Sequence, residues 1–324
     1  MSVNVLGIGE LLWDLFRDGP RLGGAPFNVT AHLARLGYRT AFVTAVGTDA
    51  LGRAALAAVD ELGIHATFIS TALDLPTGTV DVLPDPSGGH RFEIRSPAAY
   101  ESIGDGDALV ARIAAWRPEA IVYGTLAQRF DGTRELTKRL ARDAGPRHRL
   151  YDLNLREGCW TPTLVLDLLT DATIVKLDDA EAGVLAGILG TTAEAATLGE
   201  RLADRFGVAA VCITHGPGGA SLWVAGASHS VPGLEVDVVD TVGAGDAFAA
   251  GLLHGLLGGL PPDGILAFAN RLGALVASRP GALPSWRPEE LGEVRPRPAR
   301  GTPRTRPAAR RTSHRASRRP PQPG

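Results

Sequence analysis

Short apolar, β-branched runs alternate with helix-like segments along most of this chain, and that alternation constrains the fold more than any other feature. Residues 3–9 read as a buried strand. Residues 26–36 read as a helix with an early proline, with Val29, Leu33 and Leu36 on one face and Gly37 as the stop. The alternation continues with strands at 41–46, 120–123, 150–153, 173–175 and 209–214. Helices are predicted at 50–62, 131–143, 179–189, 192–206, 245–257 and 262–278. Strands separated by helices require a mostly parallel sheet covered on both faces, an α/β fold.

One interval departs from this rhythm. The runs 77–83 and 90–95 flank Asp85-Pro-Ser-Gly-Gly89, a strong turn sequence, and so predict a hairpin. Taken alone, such an insertion is an edge decoration; beside a substrate site it would be a lid. Residues 295–324 differ again, holding ten arginines, seven prolines and no acid. Such a composition cannot bury enough apolar surface to offset ordering entropy, so a disordered tail is expected. The tail reads either as a silent solvated extension or as a polyanion-binding arm. The formal net charge of -2 hides this split, because the rest of the chain is acidic and a poor match for nucleic acid. Two cysteines, Cys159 and Cys212, cannot build a disulfide framework. The apolar stretch 248–260 is broken by His254 and glycines and is too short to span a membrane. A cytoplasmic, soluble protein is the expectation, monomeric or homodimeric.

The most informative segment is Asp240-Thr-Val-Gly-Ala-Gly-Asp246, which runs straight into an apolar helix. Bare backbone at Gly243, Ala244 and Gly245 at the positive end of a helix can hold an anion. A carboxylate there is electrostatically awkward unless Asp246 takes a proton from an alcohol attacking that anion. The plainer alternative is a glycine-rich turn capped by an acid. Gly23-Gly-Ala-Pro-Phe-Asn28 offers bare backbone and an amide, and Asp14 lies nearby in sequence; together they suit hydroxyls that both donate and accept. Alternatively Asn28 caps a helix and Asp14 is a solvated loop acid. Asp152-Leu-Asn-Leu-Arg156 follows a strand, where open α/β sheets bind ligands. Asp178 and Glu181 cluster where a hydrated Mg²⁺ could sit, or simply start a helix. A Walker-type phosphate loop is absent from the sequence, and Gly7-Ile-Gly9 lacks the third dinucleotide glycine.

As a set, these residues resemble the ribokinase-like sugar kinases of the phosphofructokinase-B type. The resemblance runs from about residue 3 to 286 and is carried by the 240–246 motif, Gly23-Gly24…Asn28, Val46-Gly-Thr-Asp49…Gly52 and Thr214…Gly216…Gly219. It implies a three-layer domain over 1–294, with a small β lid drawn from about 10–22 and 77–97. It implies ATP with Mg²⁺ as phosphoryl donor and a sugar as acceptor. By the same resemblance Asp246 is the base and Gly243, Ala244 and Gly245 the anion hole. Asp14, Gly24, Asn28 and Arg156 would contact the sugar, and Asn154, Thr214, Gly216, Gly219 and Asn270 the nucleotide. Asp178 and Glu181 would hold Mg²⁺ through water, and Asp240 and Val242 would offer oxygens to K⁺. One departure is Asp178, where many relatives carry asparagine; the tail is another. Gly9-Glu-Leu-Leu-Trp-Asp14, Gly24-Ala-Pro-Phe-Asn28 and Asp152-Leu-Asn-Leu-Arg156 are most similar to fructokinases, with a sugar acid such as 2-keto-3-deoxygluconate, or a non-catalytic sugar-binding relative, as the alternatives.

Overall fold

Strands made almost wholly of buried residues can sit only inside a sheet covered on both faces, and the computed structural model places them there. It describes residues 3–84, 90–104 and 106–292; the turn at 85–89 and the Arg-rich tail lie outside the described residues. In chain order the elements begin β1 (Asn4–Ile8), β2 (Leu12–Phe16), β3 (Gly19–Gly23), α1 (Ala25–Arg35), β4 (Arg39–Gly47), α2 (Ala50–Glu61) and β5 (Ile69–Ala72). They continue with β6 (Gly78–Pro84), β7 (His90–Ile94), α3 (Asp107–Trp116), β8 (Ala120–Tyr123), α4 (Asp131–Asp143), β9 (His148–Asp152) and α5 (Pro162–Leu169). The last third holds β10 (Ile174–Asp178), α6 (Asp179–Leu189), α7 (Ala195–Phe206), β11 (Ala210–Thr214), β12 (Ala220–Val224), β13 (Ala227–Val231), α8 (Ala244–Leu257) and α9 (Pro262–Ala277).

The main sheet has nine strands in the order β13-β12-β11-β10-β9-β8-β1-β4-β5. From β11 to β5 every pairing is parallel; β12 and β13 add an antiparallel edge. Period-two alternation divides the core. Leu6, Ile8, Ile121 and Tyr123 face a layer that includes Leu136, Leu140, Leu185 and Leu198. Val5, Ala120 and Val122 face α1, α8 and α9. Glycines let α8 and α9 approach closely: a Cβ on Gly251 would lie 2.7 Å from the Ala269 Cα. Gly251 and Gly255, two of the glycines that interrupt the apolar run 248–260, are thus packing residues. No helix among the described residues is long and apolar enough to cross a membrane.

Because β1 is flanked by β4 on one side and β8 on the other, the winding direction reverses there. The crevice at the strands' carboxyl ends is the place for a ligand in such a sheet. Over that edge lies a second sheet of order β3-β2-β6-β7. Its strands β2 and β6 run parallel although they are distant in sequence. The two sheets are tied together by Asp49, the N-cap of α2. Its Oδ1 accepts from the Gly52 N–H (2.7 Å) and the Thr77 hydroxyl (2.7 Å), and its Oδ2 from the Thr77 N–H (2.8 Å). Thr77 directly precedes β6, so the Val46-Gly-Thr-Asp49…Gly52 motif forms a joint between layers.

Candidate active site

The anion-hole segment folds as its glycines require. Gly243 is the N-cap of α8 at φ 77, and a Cβ there would meet Ala282 at 2.5 Å. The Ala244 N–H closes a turn onto the Thr241 carbonyl (3.2 Å), so this amide is not aimed outward as the sequence suggested. The N–H groups of Gly243 and Gly245 have no acceptor among the described residues. Asp240 shapes the approach: Oδ1 accepts from the Val242 N–H (3.0 Å) and Oδ2 from the Gly281 N–H (2.9 Å), with Arg21 Nη1 at 3.6 Å. A carboxylate shared by two amides and a guanidinium adds no support for K⁺ at Asp240 and Val242.

The segment behind this loop is braced. His32 Nε2 donates to the Ala282 carbonyl (3.1 Å), and Trp286 Nε1 donates to His32 Nδ1 (3.1 Å). Burial holds His32 neutral, its pKa lowered to about 3.

Asp246 lies in the first turn of α8, 8% exposed, and its Oδ2 accepts from Asn28 Nδ2 at 2.8 Å. Two motifs 218 residues apart in sequence therefore meet. Asn28 is inside α1, not at its cap. The cap is Gly24, at φ 123, whose Cβ would lie 2.2 Å from the Glu10 carbonyl oxygen. The Ala25 N–H is taken by Glu10 Oε1 at 3.2 Å. Glu10 Oε2 and Asn28 Oδ1 are buried without a hydrogen-bond partner among the described residues. Buried polar atoms are normally paired, so these two unpartnered atoms are open to a polar ligand group.

The charges here feel one another. Burial pushes Glu10 up to about 7, opposed by its hydrogen bonds and Arg156. Burial pushes Asp14 up to about 6, with Arg156 opposing and Asp246 adding. Burial likewise raises Asp246, against the Asn28 hydrogen bond, Lys176 and Arg156. Asp14 sits on β2, and a Cβ on Gly23 would lie 3.0 Å from its Oδ2. Glu10, Asp14, Gly24, Asn28, Arg156 and Asp246 are thus linked by contacts or by their charges into one cluster.

The neighbouring strand ends hold the remaining candidates. Asn154 follows β9 in a left-handed conformation at φ 42, and Arg156 is exposed two residues on. Lys176 of β10 reaches Asp152 Oδ1 at 3.1 Å, with side chains 7% and 4% exposed. Asp178 and Glu181 form a capping box on α6: the Glu181 N–H donates to Asp178 Oδ1 (2.9 Å), and Glu181 Oε2 accepts from the Asp178 N–H (2.9 Å). Glu181 Oε1 accepts from the Leu155 N–H (2.7 Å). The helix-start reading of this acid cluster is thus present in the geometry. Among the described residues no group of three or more His, Cys, Asp or Glu side chains is arranged for a metal.

Asp178 is in register with Thr214 on β11. Gly216 opens a short turn at φ 52, and Gly219, at φ 105, has room for no Cβ, with the Val231 carbonyl 2.1 Å away. Asn270 on α9 donates to the Pro232 carbonyl (3.1 Å), turned toward the same edge of the sheet. His215 bridges Asp179 (2.6 Å) and Ser221 (2.9 Å), and His254 bonds Tyr38 (3.0 Å).

Sequence reading passed over Glu10, Asp152 and Lys176. The available signal was a single charge inside or beside an all-apolar run, since such residues are seldom fully buried unless paired.

Comparison with known proteins points to one family. The pattern of the pfkB family carbohydrate kinase matches residues 16–289. A fructokinase of Escherichia coli is 31% identical over 296 residues, covering 86% of this chain and 94% of that one. An aminoimidazole riboside kinase of Salmonella typhimurium is 30% identical over 240 residues, covering 72% of this chain and 73% of that one. Among solved structures, fructokinase with bound ATP from Xylella fastidiosa superimposes with a TM-score of 0.76 at 25% identity, over 87% of this chain and 94% of that one.

Proposed function

This chain belongs to the pfkB family of carbohydrate kinases, and from that footing we propose that it transfers the terminal phosphoryl group of ATP to a primary hydroxyl of D-fructose, giving ADP and fructose 6-phosphate. The observation that carries the proposal is the buried Asn28–Asp246 contact at the mouth of the amide cradle. It holds a carboxylate in one orientation beside N–H groups that can take a phosphoryl oxygen. Asp246 accepts the proton of the attacking hydroxyl. The oxygen then bonds phosphorus in line as the bond to the ADP oxygen breaks, and the Gly243 and Gly245 amides take the charge on the transferring group. Mg²⁺ arriving with ATP supplies neutralisation of phosphate charge, and Asp178 and Glu181 would hold it through water. Asn154, Thr214, Gly216, Gly219 and Asn270 line the side assigned to the nucleotide.

The sugar side favours an uncharged polyol. Three acids, Glu10, Asp14 and Asp246, face it with Arg156 as the opposing cation acting on all three. A sugar acid would bring a fourth carboxylate into that field. The unpartnered polar atoms of Glu10 and Asn28 ask for hydroxyls, which both donate and accept and which fructose supplies. In this reading the four-stranded sheet is the lid that excludes water from the phosphoryl group.

A panel of neutral sugars and sugar acids, tested with ATP and Mg²⁺ for sugar-dependent ADP release, decides the matter. Fructose should give the highest kcat/KM. A sugar acid in first place would overturn the fructose assignment, and no release with any sugar would leave a non-catalytic sugar-binding relative.

A further inference from the structure

Lys176 is the only lysine or arginine among the described residues whose side chain is buried. Its ammonium lies beneath the first turn of α8: a Cβ built on Gly245 would be 3.3 Å from Lys176 Nζ. Three carboxylates, Asp152, Glu181 and Asp246, surround it electrostatically. Burial works against its charge, and those carboxylates more than offset the penalty, so the group stays an ammonium. An ammonium has three donors. Among the described residues one is used, on Asp152 Oδ1, and Asp152 Oδ2 is itself buried without a partner. A buried cation with unspent donors, set under open amides at the positive end of a fourteen-residue helix, is poised for an anion.

We propose that Lys176 is a contact for the terminal phosphoryl group of the donor, reaching the amide cradle from below while Asp152 holds it in place. The proposal rests on the kinase reading above for the identity of that anion. It explains why position 245 is glycine, since any side chain would press on the ammonium. It also explains why a charge is kept among the buried apolar residues Ile174, Val175 and Leu177 of the same strand.

A buried ion pair can instead be purely structural. In that case removing one partner is harmful and removing both is nearly neutral. The two roles therefore predict opposite outcomes for Lys176→Met and the double variant Lys176→Met/Asp152→Asn. Melting temperature is measured for both. Affinity for β,γ-imido-ATP and for ADP, each with Mg²⁺, is measured by calorimetry. If Lys176 contacts the terminal phosphoryl, the double variant regains melting temperature lost by the single one, yet binds the imido analogue at least about tenfold more weakly with ADP affinity within about threefold. With a sugar that supports turnover, its kcat falls at least about a hundredfold while the sugar KM stays within about threefold. Lys176→Gln, which keeps a hydrogen bond to Asp152 without the charge, should show the same loss and serves if the double variant does not fold.

Turnover restored along with stability, or an analogue affinity that follows ADP, overturns the proposal. A wild-type chain that releases no ADP with any sugar overturns the function proposed above and leaves calorimetry to decide this one.

Discussion

Asp49 and Asp246 both stand at the start of a helix, yet their surroundings differ in kind. Asp49 accepts three hydrogen bonds through its two oxygens, and although burial pulls its pKa upward, the bonds outweigh that pull and leave it below the ordinary carboxylate range. Asp246 accepts one side-chain hydrogen bond, and burial prevails, raising its pKa. The first acid has its partners within the fold; the second is kept short of them. Glu181 lies between them: its oxygens both receive backbone N–H groups, yet burial still raises its pKa, whereas Glu10 Oε2 has no partner among the described residues. Satisfied acids build the frame, and under-satisfied acids are left for chemistry.

Substitutions can break that division. Asp246→Asn should lower kcat with fructose by at least about a hundredfold with KM within about threefold, while the melting temperature holds or rises because a buried charge is gone. In the wild type the acidic limb of kcat should lie above pH ~4, since the base is lost as pH falls through a raised pKa. Near-normal turnover in the variant would remove Asp246 from the reaction.

Next in size is Glu10→Gln. The folded protein holds the Glu10 proton up to about pH 7, whereas the unfolded chain releases it near 4.5, the ordinary value for a glutamate. Between those values the folded state binds more protons, so wild-type stability declines as pH rises. The advantage of the variant should therefore grow between pH 4.5 and pH 8, by on the order of 3 kcal/mol at most. A difference in urea unfolding that is constant across pH would place Glu10 with the satisfied acids.

Asp49→Ala should cost about 2 kcal/mol in urea unfolding, through the lost cap and the lost bonds to Thr77. A turnover defect as large as that of Asp246→Asn would erase the distinction between the two aspartates. The smallest effect belongs to His215→Ala, whose exposed pairing with Asp179 should change stability by less than about 0.5 kcal/mol. A fall of several degrees in its melting temperature would show that pairing to be structural after all.

Much of the architecture was legible in sequence because local patterns carry it. Strands buried on both faces appear as short apolar runs, and α4 and α6 lie where the pattern put them, at Asp131–Asp143 and Asp179–Leu189. The strands β2, β3 and β5 and the helices α3 and α5 were not resolved from local pattern. The pairing of β2 with β6 depends on a partner distant in sequence, and β2 is half-buried without clear alternation. The chemistry divides similarly. Gly24 and Gly243 stand out because close backbone approach admits only glycine, and these positions led to Asn28 and Asp246. Glu10 and Lys176 are single charges whose meaning depends on neighbours contributed by other elements, so the linear pattern offered no more than their oddity. Asp178 and Glu181 favoured a helix start when read by themselves, and a metal contact only through the family resemblance; the capping box shows the first directly.

The brace formed by Ala282, His32 and Trp286 reaches beyond stability. Gly243 presses against Ala282 and Asp240 bonds Gly281, so the geometry of the glycine-rich loop is set in part by a stretch of chain outside the motif itself. A proteolytic nick or early stop codon ahead of Trp286 would slacken that loop while leaving every motif residue intact. Anyone preparing the protein for assay should accordingly put a purification tag at the amino end and treat clipped material as a different enzyme.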